Sequence, residues 1–367
     1  MSAGQAWRRL RSDDTRLAWW SPRPPRPDPL GRRCERFSPV AQQLLQGQIG
    51  PLANIRSAAG CALCLRSDSP ALILHLARLR HHQPVPQQIA LQWRCGPDGP
   101  WHTVSSADLR EREGAVDLWL PTGLAAGQLA EMWLWLPNIS TCLVAGISVV
   151  ETAEVAPLTL PKPRWLAIGD SLTQGFNAAC PTTTWVHRLA MGMEMPVWNL
   201  GVGGLRIEAE LFAEPLAAQD WDLVTVALGS NHAWRAGDAD PDVVAGRARE
   251  LCDLALAASA RRLVWILPPW KPCEEGLGPP EFFGVPLDRS AGQRAETVRR
   301  VLSQVLSDYA GRIEVVADCM PHDHRLLADG LHPQALGMAR YAERVARALA
   351  EQGMAEAEKH LRSEKLH

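Results

Sequence analysis

An excess of charge of either sign is the first thing this sequence lacks. Its 367 residues carry a formal net charge of −2, so no global field draws in a polyanion or an anionic bilayer. No nucleic-acid partner is expected. Long apolar runs are missing too: no stretch reaches the roughly 18 residues that a spanning helix needs, which argues against a membrane partner. The first twenty residues hold Arg8, Arg9, Arg11 and Arg16 and no uninterrupted apolar run before a small-residue cleavage site, so a secretory signal is not expected. Nine cysteines, an odd number without regular spacing, do not make a disulfide framework and fit the reduced thiols of a cytoplasmic protein. Cys61-x-x-Cys64 has no second pair to complete a zinc site. It also lies in a strand-like segment where positions three apart point to opposite faces. Neither a metal nor another cofactor is expected.

What is present is a globular composition. Hydrophobic residues make up 46% and charged residues 21%, enough apolar material for two cores in a chain of this length. Residues 1–36 are rich in Arg and Pro, and Ser21-Pro22-Arg23-Pro24-Pro25-Arg26-Pro27 predicts at best an extended polyproline-like run, in a segment expected to pack loosely or to wrap a neighbour. Residues 37–155 read as an all-β sandwich, with alternating strands predicted at 62–66, 72–79, 89–94, 116–120, 132–136 and 144–150 and strong turn formers between them. Trp93, Trp119, Trp133 and Trp135 fall in these strands. Core packing is the commoner explanation for such tryptophans, and a glycan-binding face is the alternative.

Three prolines in 156–163 make a linker, since they suit neither a sheet interior nor a helix. After it strands and helices alternate. Strands are predicted at 165–168, 197–200, 223–228, 263–267 and 313–317, the third and fourth nearly all apolar, as when both faces of a sheet are covered. Helices are predicted at 185–190, 243–258, 291–309 and 334–351, and in the third Val298, Val301, Leu302, Val305, Leu306 and Tyr309 form one stripe. The expectation is an α/β domain over 164–353, a doubly wound five-stranded parallel sheet of flavodoxin-like order. The charged tail 354–367 is expected to fray.

Candidate chemistry gathers at strand ends. Trp165-Leu166-Ala167-Ile168 breaks off at Gly169-Asp170-Ser171, placing a serine where a parallel sheet binds its ligands. Attack on an ester by a serine needs a base and donors for the oxyanion. Asp329-Gly330-Leu331-His332-Pro333 offers His332 as base and Asp329 to hold its tautomer. Taken alone, each of these is more often a helix cap or a polar loop. A glycine cluster at 201–204 lets backbone N–H groups approach a ligand, and Asn231 ends the next strand. Around Ser171 there is no G-x-S-x-G elbow, because Thr173 takes its last position.

These four stretches, in this order, resemble the SGNH (GDSL) family of serine esterases and acyltransferases. The resemblance implies that Ser171 is the nucleophile, and that its backbone N–H, the N–H of Gly204 and the side chain of Asn231 form the oxyanion hole. Gly201 is the rival of Gly204. His232 departs from the family's commoner aspartate at that position. Residues 57–69 and 114–121 also look like the β-sandwich, here expected to be jelly-roll-like, that precedes the hydrolase domain in one bacterial branch. The implied activity is hydrolysis of small acyl esters through an acyl-serine, on a small-molecule ester substrate such as an acylated carbohydrate. Acyl transfer to an alcohol of a sugar or secondary metabolite, and non-catalytic glycan binding, are the alternatives. The long Pro- and Gly-rich insertion at 268–284 supplies Trp270, Phe282 and Phe283, which with Trp234 are candidates to roof the substrate pocket; a surface loop packing on its own domain is the other reading. His322-Asp323-His324 reads as a polar loop rather than a metal site. The oligomeric state is not readable.

Overall fold

The structure is a computed structural model that describes residues 5–235, 237–327 and 329–364. Its chain forms two compact units. One comprises the chain through Lys162 together with Gln174–Thr184 and Trp198–Gly203; the other comprises Pro163–Thr173, Trp185–Val197 and the chain from Gly204 onward.

The first unit is β-rich. Its strands are β1 (Trp7–Arg11), β2 (Ala18–Trp20), β3 (Arg23–Asp28), β4 (Gly31–Glu35), β5 (Ala62–Ser67), β6 (Ala71–His81), β7 (Ala90–Arg94), β8 (His102–Ser105), β9 (Gly114–Pro121), β10 (Ala130–Trp135), β11 (Ser140–Val150) and β12 (Val155–Ala156). Short helices α1 (Pro39–Gln43) and α2 (Ile49–Asn54) lie between β4 and β5. One sheet runs β3-β4-β11-β6-β9 with β1 on β11, and the other β12-β5-β10-β7-β8 with β2 on β5. Alternation decides the inner face: in β9, Val116, Leu118 and Leu120 are buried while Asp117 and Trp119 point out. Leu72, Leu74 and Ile147 of one sheet share a core with Leu63, Leu65 and Leu134 of the other. Cys61 belongs to that core, whereas Cys64 joins Trp20, Ala62 and Trp133 in a separate cluster, so the two thiols do face apart. Trp93 and Trp133 are buried and Trp119 is half exposed.

The N-terminal segment corrects an expectation. Residues 7–35 are not a loose polyproline-like run but contribute β1 to β4, with Leu10, Trp20 and Cys34 buried. The prolines are accommodated because β3 lies at the end of its sheet, where a missing N–H breaks no ladder. Strand β8 was also not foreseen: a single apolar residue among His102, Thr103, Val104 and Ser105 leaves little periodicity to read.

The remaining elements are β13 (Trp165–Gly169), α3 (Ser171–Gln174), α4 (Trp185–Gly192), β14 (Val197–Gly201), α5 (Ala213–Ala217), β15 (Leu223–Ala227), α6 (Pro241–Ala257), β16 (Leu263–Ile266), the two-residue strands β17 (Glu281–Phe282) and β18 (Val285–Pro286), α7 (Arg289–Ser307), β19 (Glu314–Val316) and α8 (Ala335–Glu364). The sheet order is β14-β13-β15-β16-β19, and β13–β15, β15–β16 and β16–β19 pair in parallel. This is the order 2-1-3-4-5 expected of a flavodoxin-like sheet. Strands β13, β15 and β16 are buried throughout, and the buried indole of Trp165 is satisfied by Thr225 Oγ1 at 3.0 Å. On α7 the predicted stripe Val298, Val301, Leu302, Val305 and Leu306 is buried. The last helix runs past its expected stop near residue 351 to Glu364, through Ala- and Glu-containing sequence that favours helix, so the tail expected to fray is helical that far, and residues 365–367 lie outside the described residues. Among the described residues no helix is long and apolar enough to cross a membrane.

Candidate active site

Gly169 fixes how the first sheet strand ends. A Cβ there would lie 2.0 Å from Thr173 Oγ1 and 2.6 Å from Thr173 Cβ, so only glycine lets α3 fold back at once. The next residue, Asp170, is buried and accepts the N–H of Leu172 at 3.0 Å. Burial pushes its carboxyl above the usual carboxylate range, against the pull of that N–H, His332, Lys271 and Ser230. The turn presents Ser171, 7% exposed, at the head of α3.

His332 reaches Ser171 from 161 positions away in sequence: Nε2 lies 2.9 Å from Oγ. Its other nitrogen, Nδ1, is 2.8 Å from Asp329 Oδ2. A carboxylate only accepts, so in a neutral ring Nδ1 carries the proton and Nε2 is left basic toward the hydroxyl. Asp329 Oδ1 in turn accepts the backbone N–H groups of Leu331 at 2.9 Å and His332 at 2.7 Å. Burial pushes this carboxyl up, but His332 and the two backbone donors outweigh burial and hold it below its ordinary value. The tight turn between the two residues relies on Gly330, at φ 76°, where a Cβ would meet Pro279 at 2.9 Å.

Asn231 follows β15 through Gly229, whose φ of 128° suits glycine alone. Its amide donates one N–H to the Leu205 carbonyl at 2.9 Å, leaving a second N–H on the same nitrogen. The neighbouring His232 is buried, and burial, followed by Arg206 and Arg247, lowers it to about 4. It is therefore neutral, and its Nε2 accepts the Ile207 N–H at 3.1 Å. Asn231 and His232 together fix the backbone just after Gly204, and this is what the histidine does at a position where the resemblance implies a commoner aspartate. Of the glycine cluster, Gly201 gives its N–H to Asn199 Oδ1 at 2.8 Å and Gly203 gives its own to Gln174 Oε1 at 2.5 Å. The Gly204 N–H has no acceptor among the described residues.

The aromatic candidates separate. Phe282 sits beside the His332 ring, centroids 5.4 Å apart, and takes Trp234 edge-on at 5.6 Å. Both pack on Cys273, Leu287, Ala291 and Leu331. Phe283 contacts Phe282 but is 59% exposed. Trp270 is buried, and its ring stacks at 4.7 Å on His322, the residue expected in a polar loop. Asp323, next to it, caps a short turn by accepting the Arg325 N–H. Sequence reasoning missed Arg36, Asn54 and Gln174, all buried and all bonded to residues 199–203. Nothing in the Arg-rich N-terminal text distinguishes Arg36 from its neighbours.

A hydroxyl bonded to an imidazole that is bonded to a carboxylate is an arrangement able to deprotonate the hydroxyl as it attacks a carbonyl. Residues 167–340 match the model of the GDSL-like lipase/acylhydrolase family. Among solved structures, a protein of Bacteroides ovatus assigned to the GDSL-like lipases superposes with a TM-score of 0.74 at 15% identity, covering 94% of this chain and 98% of its own. A salicylyl-acyltransferase from a tetracycline biosynthetic pathway gives a TM-score of 0.72 at 20% identity, covering 95% and 98%. A family two carbohydrate esterase of Clostridium thermocellum gives 0.58 at 13%, covering 91% and 98%. At these identities the likeness is one of fold. Among curated proteins none matches.

Proposed function

With a GDSL-like lipase/acylhydrolase domain at residues 167–340, this chain is an enzyme of the esterase or acyltransferase type, and on that premise we propose a serine-dependent hydrolase of small acyl esters. The observation that carries the reading is the unbroken path Ser171 Oγ to His332 Nε2, and His332 Nδ1 to Asp329. Ser171 attacks the ester carbonyl as His332 takes its proton. The negative charge that develops on the carbonyl oxygen is held by the N–H groups of Ser171 and Gly204 and by the second N–H of Asn231. His332 then protonates the departing alcohol, the acyl group remains on Ser171, and water activated by the same imidazole releases it. The uncommitted N–H of Gly204, against the engaged N–H groups of Gly201 and Gly203, supports Gly204 as the donor.

Acyl transfer is the second reading. The burial of Ser171 and His332, 7% exposed each, with Phe282 beside the His332 ring, favours it, because limited solvent access restricts water at the acyl-enzyme. Acylated carbohydrates are the substrate class to try first, since carbohydrate esterases share this fold. The test is to incubate the protein with an activated acetyl ester and a panel of sugar and phenolic alcohols. Free acid as the main product supports hydrolysis, and an excess of transfer product replaces it with the second reading. A fluorophosphonate label should map to the peptide holding Ser171, and Ser171→Ala should lower turnover by about 10⁴-fold or more. Labelling elsewhere would sink both.

A further inference from the structure

The loop that leads into Gly204 is pinned at every peptide plane. The Asn199 carbonyl accepts from Arg36 Nη1 at 3.3 Å. Next, the Gly201 N–H donates to Asn199 Oδ1 at 2.8 Å, and the Gly201 carbonyl accepts from Arg36 Nη1 at 2.6 Å. The Gly203 N–H donates to Gln174 Oε1 at 2.5 Å, and the Gly203 carbonyl accepts from Asn54 Nδ2 at 3.0 Å. A Cβ on Gly203 would lie 2.7 Å from that Nδ2, so glycine is what allows amide and backbone to meet.

The last of these bonds has a geometric consequence. A trans peptide is planar, with its C=O and N–H pointing opposite ways. The carbonyl of Gly203 and the N–H of Gly204 share one plane, so a donor that fixes the carbonyl also fixes where the N–H points. Asn54 is buried at the end of α2 and is itself held: its own carbonyl accepts from Arg36 Nη2 at 2.8 Å. Arg36 completes the frame by donating to the Ser57 carbonyl and hydroxyl, each at 2.9 Å. All five guanidinium donors are thus used, and no carboxylate is among their acceptors. Burial lowers this cation to about 10. Burying a cation without a counter-ion costs stability, which is intelligible if the loop it immobilises matters to function.

We propose that Asn54 is a positioning residue for ester cleavage: by fixing the Gly203–Gly204 peptide plane, its amide aims the Gly204 N–H at the oxyanion. Arg36 and Gln174 set the planes that precede it. The inference rests on Gly204 being an oxyanion donor, as read above.

The test uses the full chain with Asn54→Asp, which keeps the side chain's shape and removes the donor, beside Asn231→Ala as a direct-donor benchmark and Ser171→Ala. Turnover of p-nitrophenyl acetate is measured per titrated active site, together with inhibition by a phenylboronic acid, which forms a tetrahedral adduct, and by free acetate, which does not. Removing an oxyanion donor costs about 10² to 10³ in kcat, so a misaimed one should cost about 10- to 100-fold. N54D is expected to lose that much in kcat, to bind the boronic acid correspondingly more weakly, and to keep KM and acetate inhibition within about threefold. If N54D instead matches wild type in kcat per site and in boronic-acid affinity while N231A loses both, the proposal is wrong. A fall in melting temperature and in titratable sites, with kcat per site unchanged, would likewise reduce Asn54 to a structural role. Should N54D fail to fold, N54A is read the same way. Wild-type turnover in S171A, or unchanged boronic-acid affinity in N231A, would instead overturn the ester-hydrolase reading on which the proposal rests.

Discussion

At the scale of single residues, the site depends on which atoms are left uncommitted. Asp329 spends one oxygen on two backbone N–H groups and the other on His332 Nδ1. Asp329→Asn would put an amide where an acceptor is needed and favour the tautomer that points a proton at Ser171. Turnover should drop by about 10⁴ with little change in KM; a drop under tenfold would mean that His332 does not rely on Asp329. Gly169→Ala drives a methyl into Thr173 and should destabilise by about 1–3 kcal/mol, seen as a lower urea midpoint together with lost activity. That Ser171, Asp329 and His332 would meet could be read from sequence because the proposed chemistry tolerates few residue types and the block order is distinctive. Gly204 against Gly201 could not, since three glycines within four positions allow a shift. The commitment of the Gly201 N–H to Asn199 is what favours Gly204 in the proposed oxyanion hole.

Elements are set by periodicity where it exists. The α7 stripe was readable because its apolar positions recur at helical spacing, and Leu302 at its centre is fully buried against the turn at Gly229. Leu302→Ala should therefore cost about 2–5 kcal/mol in chemical denaturation. Helix α6 starts at Pro241, two residues before the predicted 243, because Asp240 caps it: its carboxylate accepts the N–H groups of Asp242 and Val243. Asp240→Ala should lower stability by about 1 kcal/mol without touching kcat; a loss of turnover at unchanged stability would contradict that separation. Strands β1 to β4 were illegible for the opposite reason. Arginine and proline obscure the alternation there, and only tertiary pairing with β5 and β11 shows that these residues are sheet.

For the whole molecule the testable quantity is stability against acid. Burial lowers His82, His187 and His232 each from 6.5 to about 4. The fold holds these rings neutral while the unfolded chain takes up protons once pH falls below about 6.5. Stability should therefore fall as pH drops from about 6.5 to about 4, by up to about 1.4 kcal/mol per pH unit for each ring, and this loss should level off below about 4. Asp170, with its carboxyl pushed up, works in the other direction above 3.8 and offsets part of the loss. A melting temperature that stays flat from pH 7 to pH 4.5 would show that these imidazoles are not excluded from water. The sandwich and the parallel sheet were both foreseeable from their strand spacing, whereas the grouping of Gln174–Thr184 and Trp198–Gly203 with the N-terminal unit was not, because it arises from buried hydrogen bonds between residues far apart in the chain. That grouping limits how such proteins can be recombined. A hybrid joined in the proline-rich connector would take Arg36 and Asn54 from one parent and Gln174 and the glycine run from the other, so active offspring should be recovered chiefly from parents whose residues at these places already agree.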